Sequence, residues 1–169
     1  MDYYVLFLRI IHILGGAFWF GSAFVLTRFV APAVTLAGPE GAKFMQKLVL
    51  GTRFVVVTAT AAGLAVLTGL LLYWRASGGL STDWMSTGTG IMFTIGALAG
   101  IIALGTGSAI GANSRKLATL GTSLQGPPSP EQAVEIAGLQ SRLETLGAVT
   151  SILLLITLIA MATAQYVFF

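Results

Sequence analysis

Four long apolar runs dominate the pattern of hydrophobic and polar positions along this chain of 169 residues. They cover residues 3–26, 54–74, 88–112 and 148–169. Each run reaches the ~20 residues that an α-helix needs to cross ~30 Å of hydrocarbon. The segments between them are too short for a separate soluble domain. The pattern therefore predicts one membrane domain over residues 1–169, an all-α bundle of four transmembrane helices.

The polar segments after the first and third runs keep a helical pattern of their own. Residues 129–132 read Ser-Pro-Glu-Gln, which is a helix start with a capping box and proline at the first helical position. Apolar residues at steps of three and four lie on both sides of the turn at residues 125–128, which predicts an antiparallel hairpin of helices extending into the cytoplasm. The fourth helix is then expected over residues 130–167. Residues 38–41 similarly predict a turn, before a helix that enters the membrane near Arg53.

Charge distribution predicts the orientation in the membrane. Charged residues make up 9% of the chain, against about 25% in soluble domains, so most of its surface is expected to face the lipid bilayer. Seven of the nine basic residues lie after the first and third runs, and one lies after the second. They are Arg28, Lys43, Lys47, Arg53, Arg115, Lys116 and Arg142, against Arg75. Because cytoplasmic loops carry the excess of lysine and arginine, we expect a multi-pass inner-membrane protein with both termini outside, in the periplasm.

The net charge of +3 would suggest nucleic-acid binding in a soluble protein. Here the basic residues lie beside the spans, so they are interpreted as setting topology, and no nucleic-acid partner is expected. The first run begins with Asp2 and is longer than a signal-peptide core, so we expect it to be retained. Aromatic residues at the outer ends of the runs predict an interfacial belt. These are Tyr3, Tyr4, Trp74, Trp84, Tyr166, Phe168 and Phe169.

Glycines in the third run form two small-residue faces, Gly96–Gly100 and Gly107–Gly111. Their offset of eleven residues is almost three helical turns, so both pairs fall on nearly one stripe. Small residues let helices approach closely in lipid. The stripe predicts a single close neighbour inside the bundle, with dimerisation through the same faces as the alternative.

His12 is the only histidine, and it lies within the first apolar run. An ionisable residue at membrane depth is by default a candidate for function. Three interpretations stay open: a haem or metal ligand, a proton relay with Arg9, or a structural histidine bonded to a neighbouring helix. Gly15 and Gly16 favour the ligand, since a flat macrocycle needs a surface without side chains. A sixth ligand would be Met92, Met161, water, or His12 of a second subunit.

The spacing of His12, Trp19, Gly21 and Arg28 resembles the first helix of a group of small bacterial membrane proteins. The group includes CopD-type copper-resistance proteins, HemJ-type protoporphyrinogen oxidases and uncharacterised members, which the hairpin of residues 114–166 resembles most. The resemblance implies a b-type haem bound through His12. It does not imply protoporphyrinogen oxidation, since residues 88–112 lack the third-helix lysine of the HemJ-type family.

The candidate cofactor-binding residues are therefore His12, Trp19, Arg9 and Arg28, with His12 as the metal ligand and no catalytic residue assigned. The leading hypothesis is a membrane protein that binds haem b for redox chemistry or haem handling. The alternative is a non-enzymatic accessory or structural subunit, in a larger membrane complex or a homodimer. A transporter of small solutes or metal ions is the third.

Overall fold

The computed structural model describes residues 2–124 and 126–167, and nearly all of them are helical. Gln125 of the predicted turn, and Phe168 and Phe169 of the predicted fourth run and aromatic belt, lie outside the described residues. The elements are α1 (Tyr3–Val25), a π-helical segment (Leu26–Val30), α2 (Ala31–Gly51), α3 (Phe54–Ala76), α4 (Thr82–Met85), α5 (Gly88–Ser123), α6 (Pro130–Thr163) and a 3-10 turn (Ala164–Tyr166).

Four helical stretches in the described residues are long and apolar enough to cross a membrane, which confirms the predicted all-α fold with four spans. The 36 residues of α5 and the 34 of α6 correspond to about 54 and 51 Å. Both helices are therefore some 20 Å longer than the hydrocarbon layer is thick. The excess is the predicted hairpin, in which Lys116 of α5 pairs with Glu135 of α6 at 2.7 Å. The capping box at Ser129 is also present.

The helices pack as two antiparallel pairs. α1 lies along α3, α5 lies along α6, and the pairs meet through α3 with α5 and α1 with α6. At the centre of the bundle each spanning helix contributes one buried side chain, namely Trp19, Ala62, Ala103 and Leu154. The Thr106 and Thr150 hydroxyls, 2.7 Å apart, join α5 to α6. Such bonds hold helices together where lipid offers no hydrophobic drive for association.

The start of α1 and the end of α3 lie together at one end of the bundle. Asp2, before α1, forms an ion pair with Arg75 at the end of α3. Tyr3, Tyr4, Trp74 and Tyr166 expose more than half of their surface, as a lipid-facing belt requires. Trp84 is partly exposed and also packs against Tyr73 and Phe93, with ring centroids 5.4 and 6.2 Å away.

At the opposite end of the bundle the chain turns at Gly38, which has φ +59°. This conformation favours glycine because it has no Cβ. A Cβ on Gly41 would lie 2.3 Å from the carbonyl oxygen of Val34, so the two sides of the turn are in direct contact. The predicted turn is therefore present. The helix after the turn, α2, does not continue into the membrane as predicted. It ends at Gly51, because Thr52 is extended (φ −120°, ψ 170°), and α3 begins as a separate helix.

The glycine stripe of α5 lies inside the bundle, but the prediction of a single helical neighbour is wrong. A Cβ on Gly96 would lie 2.9 Å from Met161 Cε of α6, and one on Gly100 would lie 3.8 Å from Thr157 of the same helix. The second pair faces two other helices: Gly107 lies opposite Trp19 of α1 and Gly111 opposite Val55 of α3. The reason is that α5 contacts several helices, and a glycine accommodates whichever neighbour comes close.

Candidate functional site around His12

The imidazole of His12 is half-buried between α1 and α3. Its Nδ1 lies 2.7 Å from the backbone carbonyl oxygen of Ala65. A carbonyl oxygen only accepts, so Nδ1 carries the hydrogen and donates it. The neutral ring then has its lone pair on Nε2. The bond therefore selects one tautomer and leaves Nε2 as the atom able to bind a metal or accept a proton.

Gly69 provides the space that the imidazole occupies. A Cβ at this position would lie 2.7 Å from His12 Cε1 and 3.0 Å from Nδ1, but 3.7 Å from Nε2. Contacts between carbon atoms are normally 3.5–4.0 Å. The ring therefore rests directly on the backbone of α3, with its Cε1–Nδ1 edge closest to the helix. Any side chain at residue 69 would displace it.

The two glycines beside His12 on α1 have different surroundings. A Cβ on Gly15 would lie 3.0 Å from the carbonyl oxygen of Ala61, so this glycine serves the close approach of α1 to α3. A Cβ on Gly16 would have nothing within 4 Å. Of the two positions expected to leave room for a macrocycle, Gly16 is the one beside open space.

The other predicted site residues do not gather around His12. Arg9 is exposed one turn before His12 on α1, where it shares a face with Gly16 seven residues later. Trp19 is 5% exposed and belongs to the central core. Arg28 is exposed at the other end of the span, about 28 Å from Arg9 along the helix. The structure brings only Arg9 and His12 to neighbouring turns.

Few further ligands accompany His12. Among residues 2–124 and 126–167, no group of three or more His, Cys, Asp or Glu side chains comes together. Of the sulfur atoms considered as a sixth ligand, Met161 Sδ would lie 3.4 Å from a Cβ on Gly96, so this side chain packs in the contact between α5 and α6. Protein side chains therefore supply a metal here with one imidazole, which is enough for the iron of a haem but not for a bare ion.

Comparison with known proteins places this arrangement in no group. No family model matches the chain, and neither do curated proteins or solved structures. The resemblance to CopD-type and HemJ-type proteins stays a prediction.

Ala65 and Gly69 are the site residues that sequence reasoning missed. Both lie in an apolar run with many small residues, where no pattern distinguishes the glycine under an imidazole from one facing lipid.

Proposed function

We propose that this multi-pass membrane protein binds a b-type haem through Nε2 of His12. The observation that supports the proposal is the bond from His12 Nδ1 to the carbonyl of Ala65. Histidines that bind metals donate their second ring nitrogen to a carbonyl or carboxylate in this way, which fixes the tautomer and the ring orientation. When bound, haem supplies one-electron redox chemistry.

The residues around His12 fit the group in three respects. Gly16 leaves open space one turn further in, and the imidazole is only half-buried. Arg9 is an exposed cation one turn further out, and a guanidinium suits the propionate carboxylates of haem. The hydrogen bond to Ala65 and the close contact with Gly69 fix the orientation of the imidazole, and so the direction of Nε2. Trp19 and Arg28 have no part in this version of the site.

The visible spectrum of the purified protein tests the proposal. We expect Soret absorption after expression with adequate haem supply, and we expect His12→Ala to remove it while the helical content is unchanged. Arg9→Gln serves as the milder variant and should weaken haem retention without removing it. Absence of haem from the wild-type protein, or an unchanged spectrum in His12→Ala, would show that the proposal is wrong.

A structural role for His12 in an accessory subunit is the second candidate. It is favoured by the same bond together with the close fit of the ring on Gly69. On this alternative the wild-type protein is colourless, and His12→Ala lowers the free energy of unfolding and nothing else. The spectrum therefore separates the two functions.

We also propose that both termini face the periplasm, based on the distribution of basic residues. Cysteines introduced at Gly79 and Gly126, on opposite sides of the bundle, report the orientation. A membrane-impermeant thiol reagent applied to intact cells should label position 79. Labelling at position 126 and not at position 79 would show that the protein has the opposite orientation in the membrane.

A further inference from the structure

A groove of about 420 Å³ lies between α5 and α6 on the side of the bundle where the basic residues gather. Its lining residues are Asn113, Ser141, Arg142, Thr145 and Leu146. From Arg142 to Thr163, the outer end of α6, the helix rises about 32 Å. This distance matches the ~30 Å of hydrocarbon in a bilayer. The groove therefore lies at the level of the lipid headgroups of the inner leaflet.

The level is supported by the neighbouring helices. Thr27 Oγ1 lies 3.1 Å from the Cβ position of Gly147, which puts Arg28 beside the same part of α6. Arg53 precedes α3, and from there to Arg75 the chain rises about 33 Å. Arg28 of the π-helical segment, Arg53 before α3 and Arg142 of α6 thus lie at the same end of the bundle.

Arg142 is an exposed cation without a carboxylate within 4 Å among the described residues. Its neighbours three and four residues away on α6 are uncharged, and Glu144 lies two residues away, a spacing that does not face it. A guanidinium presents planar, paired donors that match the oxygens of a phosphate group. The groove therefore offers a free cation suited to an anion.

The other lining residues add donors and an apolar edge. The Asn113 side-chain amide donates one hydrogen to the carbonyl oxygen of Ala109 at 2.7 Å, which orients it and leaves its second hydrogen free. The Ser141 hydroxyl is a further donor. Leu146 lies one turn outward from Arg142, on the hydrocarbon side of the groove. The groove thus has polar donors on its headgroup side and an apolar side chain on its hydrocarbon side, which matches the junction between the phosphate headgroup of a lipid and its acyl chains.

A second groove, of about 410 Å³, provides a comparison. It is lined by Lys116, Thr119, Leu120, Ser123 and Glu135. Its cation is already neutralised, because Lys116 pairs with Glu135 at 2.7 Å. Glu135 also lies seven residues, about 10 Å, further from the membrane than Arg142. The two grooves have similar volumes and one cation each, but only the first combines a free cation with the headgroup level.

From this we infer that the groove at Arg142 is a binding site for the phosphate headgroup of an anionic phospholipid, such as phosphatidylglycerol. Basic recesses between helices on the cytoplasmic side are suited to such headgroups. The site is independent of His12, since it lies near the opposite end of the bundle.

Native mass spectrometry of the full chain in detergent tests this inference. Phosphatidylglycerol is titrated, with phosphatidylcholine as the neutral reference, and occupancy by the first lipid is measured. We expect Arg142→Gln to weaken phosphatidylglycerol binding about fivefold, the effect of one cation near a headgroup. Lys116→Gln makes the same change of charge in the second groove and should leave the affinity unchanged. An equal loss of affinity for phosphatidylglycerol in both variants, or no loss in either, would overturn the inference. The lipid would then be held by the overall positive charge of this end of the protein and not by the groove.

A second variant tests the shape of the groove without changing its charge. Ser141→Trp fills the groove without changing the net charge, and it should also weaken binding of phosphatidylglycerol. Equal affinity for phosphatidylglycerol and phosphatidylcholine would contradict the inference. Complete displacement of the lipid by inorganic phosphate at the same concentration would overturn it as well, since the ligand would then be a soluble anion.

Discussion

Gly69→Ala tests how closely α3 fits the imidazole of His12. The added Cβ would lie 2.7 Å from Cε1 and 3.0 Å from Nδ1, so the ring has to move by roughly 1 Å to reach ordinary contact distances. That movement lengthens the present bond of 2.7 Å to Ala65 beyond hydrogen-bonding range. Losing the bond costs about 0.5–1.5 kcal/mol, and overpacking costs about 1–3 kcal/mol. We expect Gly69→Ala to lower the free energy of unfolding by about 1.5–4.5 kcal/mol relative to a matched control.

The control is Gly63→Ala in the same helix, where an added Cβ meets nothing within 4 Å. Both substitutions change helix propensity equally, so their difference isolates the contact with His12. Unfolding in mixed detergent with increasing SDS, followed by circular dichroism, measures both variants.

A double-mutant cycle then shows whether the imidazole is the cause. In His12→Ala the ring is absent, so adding Gly69→Ala should cost no more than Gly63→Ala does in the wild type. Equal stabilities of the two single glycine variants would refute the reasoning. So would a full loss at Gly69 that persists without the imidazole, because the strain would then come from another neighbour.

Three further predictions concern other parts of the bundle. Gly100→Leu, opposite Thr157, should destabilise the monomer by about 1–3 kcal/mol, whereas Gly105→Leu, which meets nothing within 4 Å, should not; a Gly100 variant that melts normally at half the native mass would reveal a subunit interface instead. Ser129→Ala removes a cap from α6 and should cost about 1 kcal/mol in the same unfolding assay; an unchanged stability would show that the cap contributes nothing. The hydrogen bond and charge of Lys43 lower the pKa of Glu40. The ion pair therefore stabilises the folded protein fully above the ordinary pKa of a glutamate, and this stabilisation is lost as the pH falls through the lowered pKa. Carbon NMR should show the pKa of Glu40 rising in Lys43→Ala, and an unchanged pKa would contradict the pairing.

The sequence determines the membrane architecture because its signals are local. Run length and composition predict the four spans, and each spanning helix satisfies its own backbone hydrogen bonds without help from a neighbour. The capping box at Ser129 and the turn at Gly38 depend on residues within a few positions of each other, and both are present in the structure. The break at Thr52 also has a local signal, which the apolar pattern on both sides of it hides: glycine, here Gly51, is typical of helix ends, and the Thr52 hydroxyl accepts the backbone N–H of Phe54 at the start of α3.

Only the tertiary structure decides which surfaces meet, because the contacts that matter join distant parts of the chain. His12 donates a hydrogen bond to a backbone carbonyl 53 residues away. Every residue has such a carbonyl, so the sequence does not indicate which one accepts the bond. The stripe of α5 shows the same limit: its glycines are alike in sequence, yet they face three different helices. In lipid no hydrophobic difference between faces selects the neighbour, so the choice is left to close packing and a few hydrogen bonds. These depend on the register of four helices at once, which no single segment encodes.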